Sequence, residues 1–172
     1  TASLSADGRK IAYTPIDREF RTWKRTRGGR AQDVWIYDFD ARRSERLTDD
    51  PGTDNFPMWA GNTVYFTSDR EHTLNLFAYD LATKAVRKVT HFTDYDVLWP
   101  SLGPGAIVFM NGGYLHRFDL ATQKAARTPI TLGAALDSTA PQFKEVKANV
   151  GRVDLSPSAA RASLVESGTT SG

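Results

Sequence analysis

The chain has 172 residues, 40% of them hydrophobic and 24% charged, with a formal charge of +2, a composition that excludes wholesale disorder and suits one globular domain with a real core. Cysteine is absent, which removes disulfide scaffolds, thiol nucleophiles and thiolate metal sites. The longest apolar run, Ala106 to Met110, is far too short to span a membrane, and the first twenty residues lack the charged-then-apolar pattern of a secretory signal, pointing to the cytoplasm.

In chain order, "ASLSADG" and "IAYT" (11–14) read as two short strands joined by a turn, followed by a long loop, "DVWIYDF", a turn and a strand ending in "RLT". The same unit returns as "PMWAGN", "VYFT" (64–67), "LNLFAYDL" and "KVT", and again as "PSLGPG", "IVFM" (107–110) and a strand ending at Phe118. β-branched and aromatic residues bounded by Gly, Asn, Asp and Pro carry these strand assignments. An aromatic-Asp pair marks each unit: Tyr37-Asp38, Tyr79-Asp80 and Phe118-Asp119, spaced 42 and 39 residues apart. Ten residues after each Asp stand Thr48, Thr90 and Pro129. "DVWIYDF" and "LNLFAYDL" are apolar on both faces of the pleat, so both faces need covering. Stacked four-stranded sheets with a period near forty predict an all-β fold, a β-propeller fragment of about three blades. An ordinary antiparallel sandwich would share the regular strands, and the repeated marker favours the propeller. The one stretch with a trace of helical spacing is Ser158 to Glu166.

The expected blades cover about 2–52, 53–93 and 94–135, followed by a connecting segment to 150. Residues 151–172 begin another unit, since "VDLSPSAARASLV" (153–165) repeats "ASLSADGRKIAYT" (2–14), and then end in a small, polar tail. Propellers close with about four to eight blades. Three would leave an apolar sheet face open at each end, so the expectation is a piece of a longer polypeptide or two half-rings paired.

The segments "TPIDREFRTWKRTRGGRAQDVWIYD", "YFTSDREHTLNLFAYDLATKAVRKVTHFTDYDV" and "PGAIVFMNGGYLHRFDLAT" together resemble the N-terminal propeller of tricorn proteases and their bacterial homologues, over roughly residues 1–150. "W-K-x-x-R-G-G" combined with "HFTDYD" is the specific part, and "LSPS" resembles the opening of that family's second propeller. The resemblance implies the C-terminal half of a six-bladed propeller within a cytoplasmic serine peptidase that assembles into a closed shell and degrades oligopeptides. Its partners would then be peptide substrates, the rest of the parent polypeptide and other subunits. The family's catalytic machinery lies in C-terminal domains, and its arginine anchor for the peptide carboxylate matches no position here. "SPSAARAS" departs from the family in lacking the turn's Gly and Lys/Arg pair. The alternative is a stand-alone binding or scaffold propeller of TolB type.

No catalytic, cofactor or metal residue is expected. G-x-S-x-G is absent, and His72, His91 and His116 have no partner at metal-ligand spacing. Ser68-Asp69-Arg70 and Asp94-Tyr95-Asp96 read as turn residues bonding their own backbone, and Gly28-Gly29 and Gly112-Gly113 as turn glycines. The basic charge is concentrated instead. From Arg18 to Arg30 six cations face one acid, leaving the remainder of the chain at a net −3. This run fills a loop about eleven to fifteen residues longer than its counterparts, a common carrier of function on a rigid β scaffold. Trp23, Lys24, Arg25, Arg27 and Arg30 are the candidate substrate-path residues, attracting peptide carboxylates by steering and charge-assisted hydrogen bonds. A solvated loop whose arginines satisfy neighbouring carboxylates is the plainer reading. Nucleic acid is not expected, because stacking aromatics are not interleaved with the cations.

Overall fold

A computed structural model describes residues 1–16, 25–131 and 150–166, with two compact units, Thr1–Ile130 and Thr131–Gly172. The first unit holds three antiparallel four-stranded sheets, each formed by consecutive strands. Sheet one comprises β1 (Ala2–Leu4), β2 (Lys10–Tyr13), β3 (Trp35–Asp38) and β4 (Arg43–Arg46). Sheet two comprises β5 (Asp54–Ala60), β6 (Thr63–Ser68), β7 (Asn75–Asp80) and β8 (Val86–Lys88). Sheet three comprises β9 (Leu98–Gly103), β10 (Ala106–Asn111), β11 (Tyr114–Asp119) and β12 (Lys124–Arg127). The sheets approach one another through their first strands, β1 beside β5 and β5 beside β9, which is the radial arrangement of propeller blades. No helix among the described residues is long and apolar enough to cross a membrane.

Two hydrophobic clusters hold the sheets together. One gathers Ala12, Val34, Val64, Phe66, Phe77 and Tyr79 between sheets one and two. The other gathers Met58, Tyr65, Leu76, Ala78, Ile107, Phe109 and Phe118 between sheets two and three. Because successive strand residues point to opposite faces, β6 sends Val64 and Phe66 to the first cluster and Tyr65 to the second. The central sheet is therefore covered twice, as the two-sided apolar pattern of its strands requires. Each large side chain so buried contributes about 1.5–3 kcal/mol.

The sequence markers have local causes. In every sheet the marker Asp accepts backbone N–H bonds at its Oδ1 from the second and third residues after it: Asp38 from Asp40 and Ala41, Asp80 from Ala82 and Thr83, Asp119 from Ala121 and Thr122, all at 2.8–3.1 Å. These Asx turns start the hairpin from the third to the fourth strand. The residue four positions after each Asp (Arg42, Lys84, Gln123) turns the chain with φ between 50° and 60°. Thr48 and Thr90, ten residues on, are buried. Their Oγ1 atoms accept the backbone N–H of Val34 (3.0 Å) and Leu76 (2.9 Å) at the start of the third strand, pinning the outer hairpin to the blade.

Sheet two is further locked by an ion pair. Asp54 is fully buried and Arg70, 18% exposed, reaches its Oδ2 at 3.0 Å while lying over the Phe77 ring, 4.8 Å from its centroid. Burial pushes the Asp54 carboxyl above the usual range, against the opposing effect of Ser68, Arg70 and Thr48.

In the second unit β13 (Val150–Leu155) pairs antiparallel with β14 (Ala162–Glu166). The trace of helical spacing at Ser158 to Glu166 is therefore a turn and a strand; the apolar residues are too few to build a helical face, while Leu155 pairs with Ala162 across the hairpin. Its turn reproduces that of β1–β2. Ser156 N donates to the Arg161 carbonyl (2.9 Å) as Ser5 N does to that of Lys10 (2.8 Å). Ala159, at φ 50°, stands where Gly8, at φ 69°, stands in the first turn, a left-handed conformation that costs an alanine about 1 kcal/mol.

Two outcomes follow. The Thr122 backbone N–H, then the Arg117 side chain, hold the Asp119 carboxyl down to about 2. A depressed folded value stabilises above the unfolded value of about 3.9 and is lost as pH falls through the folded one. The stability gap between the chain and Asp119→Asn, read by urea unfolding, should be full at pH 5 and close between about pH 4 and 2; parallel profiles would contradict the Asx-turn account. Arg70→Met keeps the stem over Phe77 but strands a buried carboxylate, and should cost about 3–5 kcal/mol at pH 7. The loss should shrink as falling pH protonates Asp54, whose folded value is raised.

Candidate functional site

The β2–β3 loop, the β6–β7 loop, the β10–β11 turn and the connectors between sheets meet at one edge of the first unit, where they enclose a cavity of about 430 Å³. That volume falls in the range of ligand pockets. Its walls are Phe56 and Trp99 from the first strands of sheets two and three, Leu98 beside Trp99, Tyr95 from the connector, Leu74 and Met110, with Arg25, Thr26, His72 and Asp94 among the polar contributors.

The aromatic walls are placed by repeated backbone irregularities. Phe56 precedes Pro57 and Trp99 precedes Pro100, and both aromatics adopt φ 52°. Their strands lose ladder register there, between Asn55 and Met58 in β5 and opposite Val108 to Met110 for β9. Proline cannot donate to the ladder, so each strand bulges and turns its aromatic residue out of the sheet. The rings meet edge to face with centroids 6.2 Å apart. Asn55 holds Phe56 from behind: its carbonyl accepts from Thr67 Oγ1 (3.2 Å) and its Oδ1 from Gln32 Nε2. Gln32 Oε1 in turn accepts the Ile16 N–H at 3.0 Å. Asn111 Nδ2 donates to the Tyr95 carbonyl at 2.6 Å, and the Tyr95 ring lies over Gly112, where an added Cβ would come within 3.0 Å of it. Gly112 and Gly113 have φ of 58° and 81°, as the two-residue turn between Asn111 and Tyr114 requires.

The basic loop divides in its roles. Trp23 and Lys24 lie outside the described residues. Arg25 lines the cavity and is fixed by its Nε, which donates to the His72 carbonyl at 3.1 Å. Arg27 turns to Asp69 instead, with Nη1 to Oδ1 at 2.9 Å and Nη2 to the carbonyl at 3.0 Å. Arg30 is exposed. Neither Arg27 nor Arg30 lines the cavity.

The two acidic triplets do more than bond their own backbone. Asp69 Oδ1 also accepts the Thr53 N–H at 2.8 Å, closing the connector onto the β6–β7 loop, and Gly52 sits so near that a Cβ there would stand 2.7 Å from it. Asp96 Oδ1 accepts the Leu74 N–H at 3.1 Å. Both ties cross between segments, a pairing that turn propensity cannot announce. His116 stacks on Phe109, centroids 5.4 Å apart, within the apolar contact of sheets two and three. No group of three potential metal ligands occurs among the described residues. The aromatic-Pro pairs, 43 residues apart, were the available sequence signal for the cavity; they repeat at equivalent places in two units.

Residues 1–124 match the Tricorn protease N-terminal beta propeller domain. A tricorn protease homolog of Saccharolobus solfataricus is 30% identical over 129 residues, covering 75% of this chain and 12% of the relative. The tricorn protease of Thermoplasma acidophilum is 30% identical over 133 residues, covering 76% and 12%. The chain thus spans 12% of the length of these curated relatives. Among solved structures, the tricorn protease superposes with a TM-score of 0.64 at 28% identity, over 72% of this chain and 12% of that one. TolB of Agrobacterium tumefaciens superposes at 0.59 with 18% identity, over 74% and 48%, a likeness of fold alone. With three radially arranged four-stranded sheets in the first unit, the chain belongs to the family of the tricorn protease N-terminal β-propeller.

Proposed function

We propose that this chain is a non-catalytic propeller segment of a tricorn-like serine peptidase that degrades oligopeptides in the cytoplasm, serving substrate access and assembly with the rest of the polypeptide and other subunits. In this reading the blades run about 2–52, 53–93 and 94–135, and the β13–β14 hairpin opens a further propeller blade. The observation that carries it is the position of Arg25, a cation fixed at the wall of an aromatic cavity at the loop edge of blades whose family is that of the peptidase propeller. Arg25 attracts a peptide carboxylate there, Lys24, Trp23 and the exposed Arg30 belong to the same path, and Arg27 supports the loop through Asp69.

The test is Arg25→Gln in a complete peptidase carrying this propeller, with cleavage of matched peptides bearing free or amidated C-termini. Loss of one charge-assisted hydrogen bond is worth about 1.5–3 kcal/mol, so the preference for the free terminus should fall by about tenfold or more in kcat/KM. An unchanged preference removes Arg25 from the path. Arg27→Gln should act differently, lowering stability by about 1–2 kcal/mol because Asp69, nearly buried, loses its cation.

A further inference from the structure

We infer that the cavity framed by Phe56, Trp99, Leu98 and Tyr95 is a side-chain subsite that selects peptides carrying an aromatic or large aliphatic residue. This rests on the peptide-path reading of Arg25 and adds to it a recognition element separate from the carboxylate.

Three observations support it. First, the buried polar groups in the wall are engaged by the protein, and Asp94, which accepts from Thr93 Oγ1 at 3.3 Å, is exposed to solvent. Asp69 is held by Arg27 and the Thr53 N–H, Asp96 by the Leu74 N–H, and Asn55 by Gln32. What remains to be desolvated by an occupant between the rings is chiefly ring and aliphatic surface, so an apolar side chain gains there. Second, the rings are held in place by the protein itself: Phe56 and Trp99 meet edge to face at 6.2 Å, Asn55 beside Phe56 is bonded to Thr67 and Gln32, and the Tyr95 carbonyl accepts from Asn111, which reduces the ordering cost of binding. Trp99 is nonetheless 49% and Tyr95 63% exposed, so large aromatic surface remains for a guest to cover. Third, the charge at the wall suits a peptide over an uncharged apolar molecule or a second copy of the sheet face. Arg25, whose Nε donates to the His72 carbonyl, lines the cavity beside the apolar walls, where a C-terminal residue offers a carboxylate and a side chain together.

The backbone supplies a mild variant. Because glycine adopts φ near 52° without strain, Trp99→Gly removes the ring while keeping the bulge, and Phe56→Gly does the same from the other wall. The experiment is calorimetric titration of the full chain with tetrapeptides of three alanines followed by Phe, Leu, Ala or Lys, all with free C-termini, alongside light scattering. The Phe and Leu peptides should bind about tenfold or more tighter than the Ala peptide, and Trp99→Gly and Phe56→Gly should each reduce that ratio to about twofold or less. Equal affinity for all four peptides overturns the subsite but leaves the carboxylate path standing. No binding by any of them overturns both. A dimer that Trp99→Gly dissociates also overturns the subsite, since the cavity would then be filled by a second chain.

Discussion

The structure depends on one constraint: a sheet whose strands are apolar on both faces must be covered on both. Sheet two meets it by lying between its neighbours, with Val64 and Phe66 turned to one and Tyr65, Ala78 and Leu76 to the other. Everything else in the first unit serves that stacking. The first strands converge, the fourth strands are carried outward on Asx-turn hairpins, and buried Thr48 and Thr90 pin the outer hairpins of sheets one and two. Among the described residues, the buried clusters lie between sheets one and two and between sheets two and three. Val108 and Leu115 on the far face of sheet three are 42% and 43% exposed, which is what a wedge in a longer circular stack presents.

Function enters where this regularity is broken. Pro57 and Pro100 interrupt the first strands and turn aromatic residues out of the ladder, and the β2–β3 loop brings Arg25 to the same edge. The rigid part of the blade thus positions a cavity, and the irregular part gives it chemistry. The ion pair of Arg27 with Asp69 belongs to the supporting side of this division: it fastens the basic loop to sheet two and leaves Arg25 at the wall.

Much of the fold was legible because its signals are local. An Asp that caps a hairpin, a Thr that accepts the third strand's first N–H, and two-sided apolar strands leave marks at fixed spacing, and Tyr37-Asp38, Tyr79-Asp80 and Phe118-Asp119 supplied them. The β14 strand was obscured because "SAARASLVE" has neither strict alternation nor β-rich composition, and its pairing with β13 decides it. The site was legible only as a charge anomaly. That Arg27 would turn to Asp69, 42 residues away, and that Phe56 and Trp99 would meet edge to face, depend on how blades stack, which no window of sequence contains.

The most direct test compares one substitution at two places: Val64→Ala in the doubly covered sheet and Val108→Ala on the open face of sheet three, each read by urea unfolding of the full chain. Val64 is fully buried and Val108 42% exposed. The stacking account predicts a loss of about 2 kcal/mol at Val64 and a change within about 0.5 kcal/mol at Val108. Equal losses at the two positions would contradict it, because the face of sheet three would then be as covered as the centre.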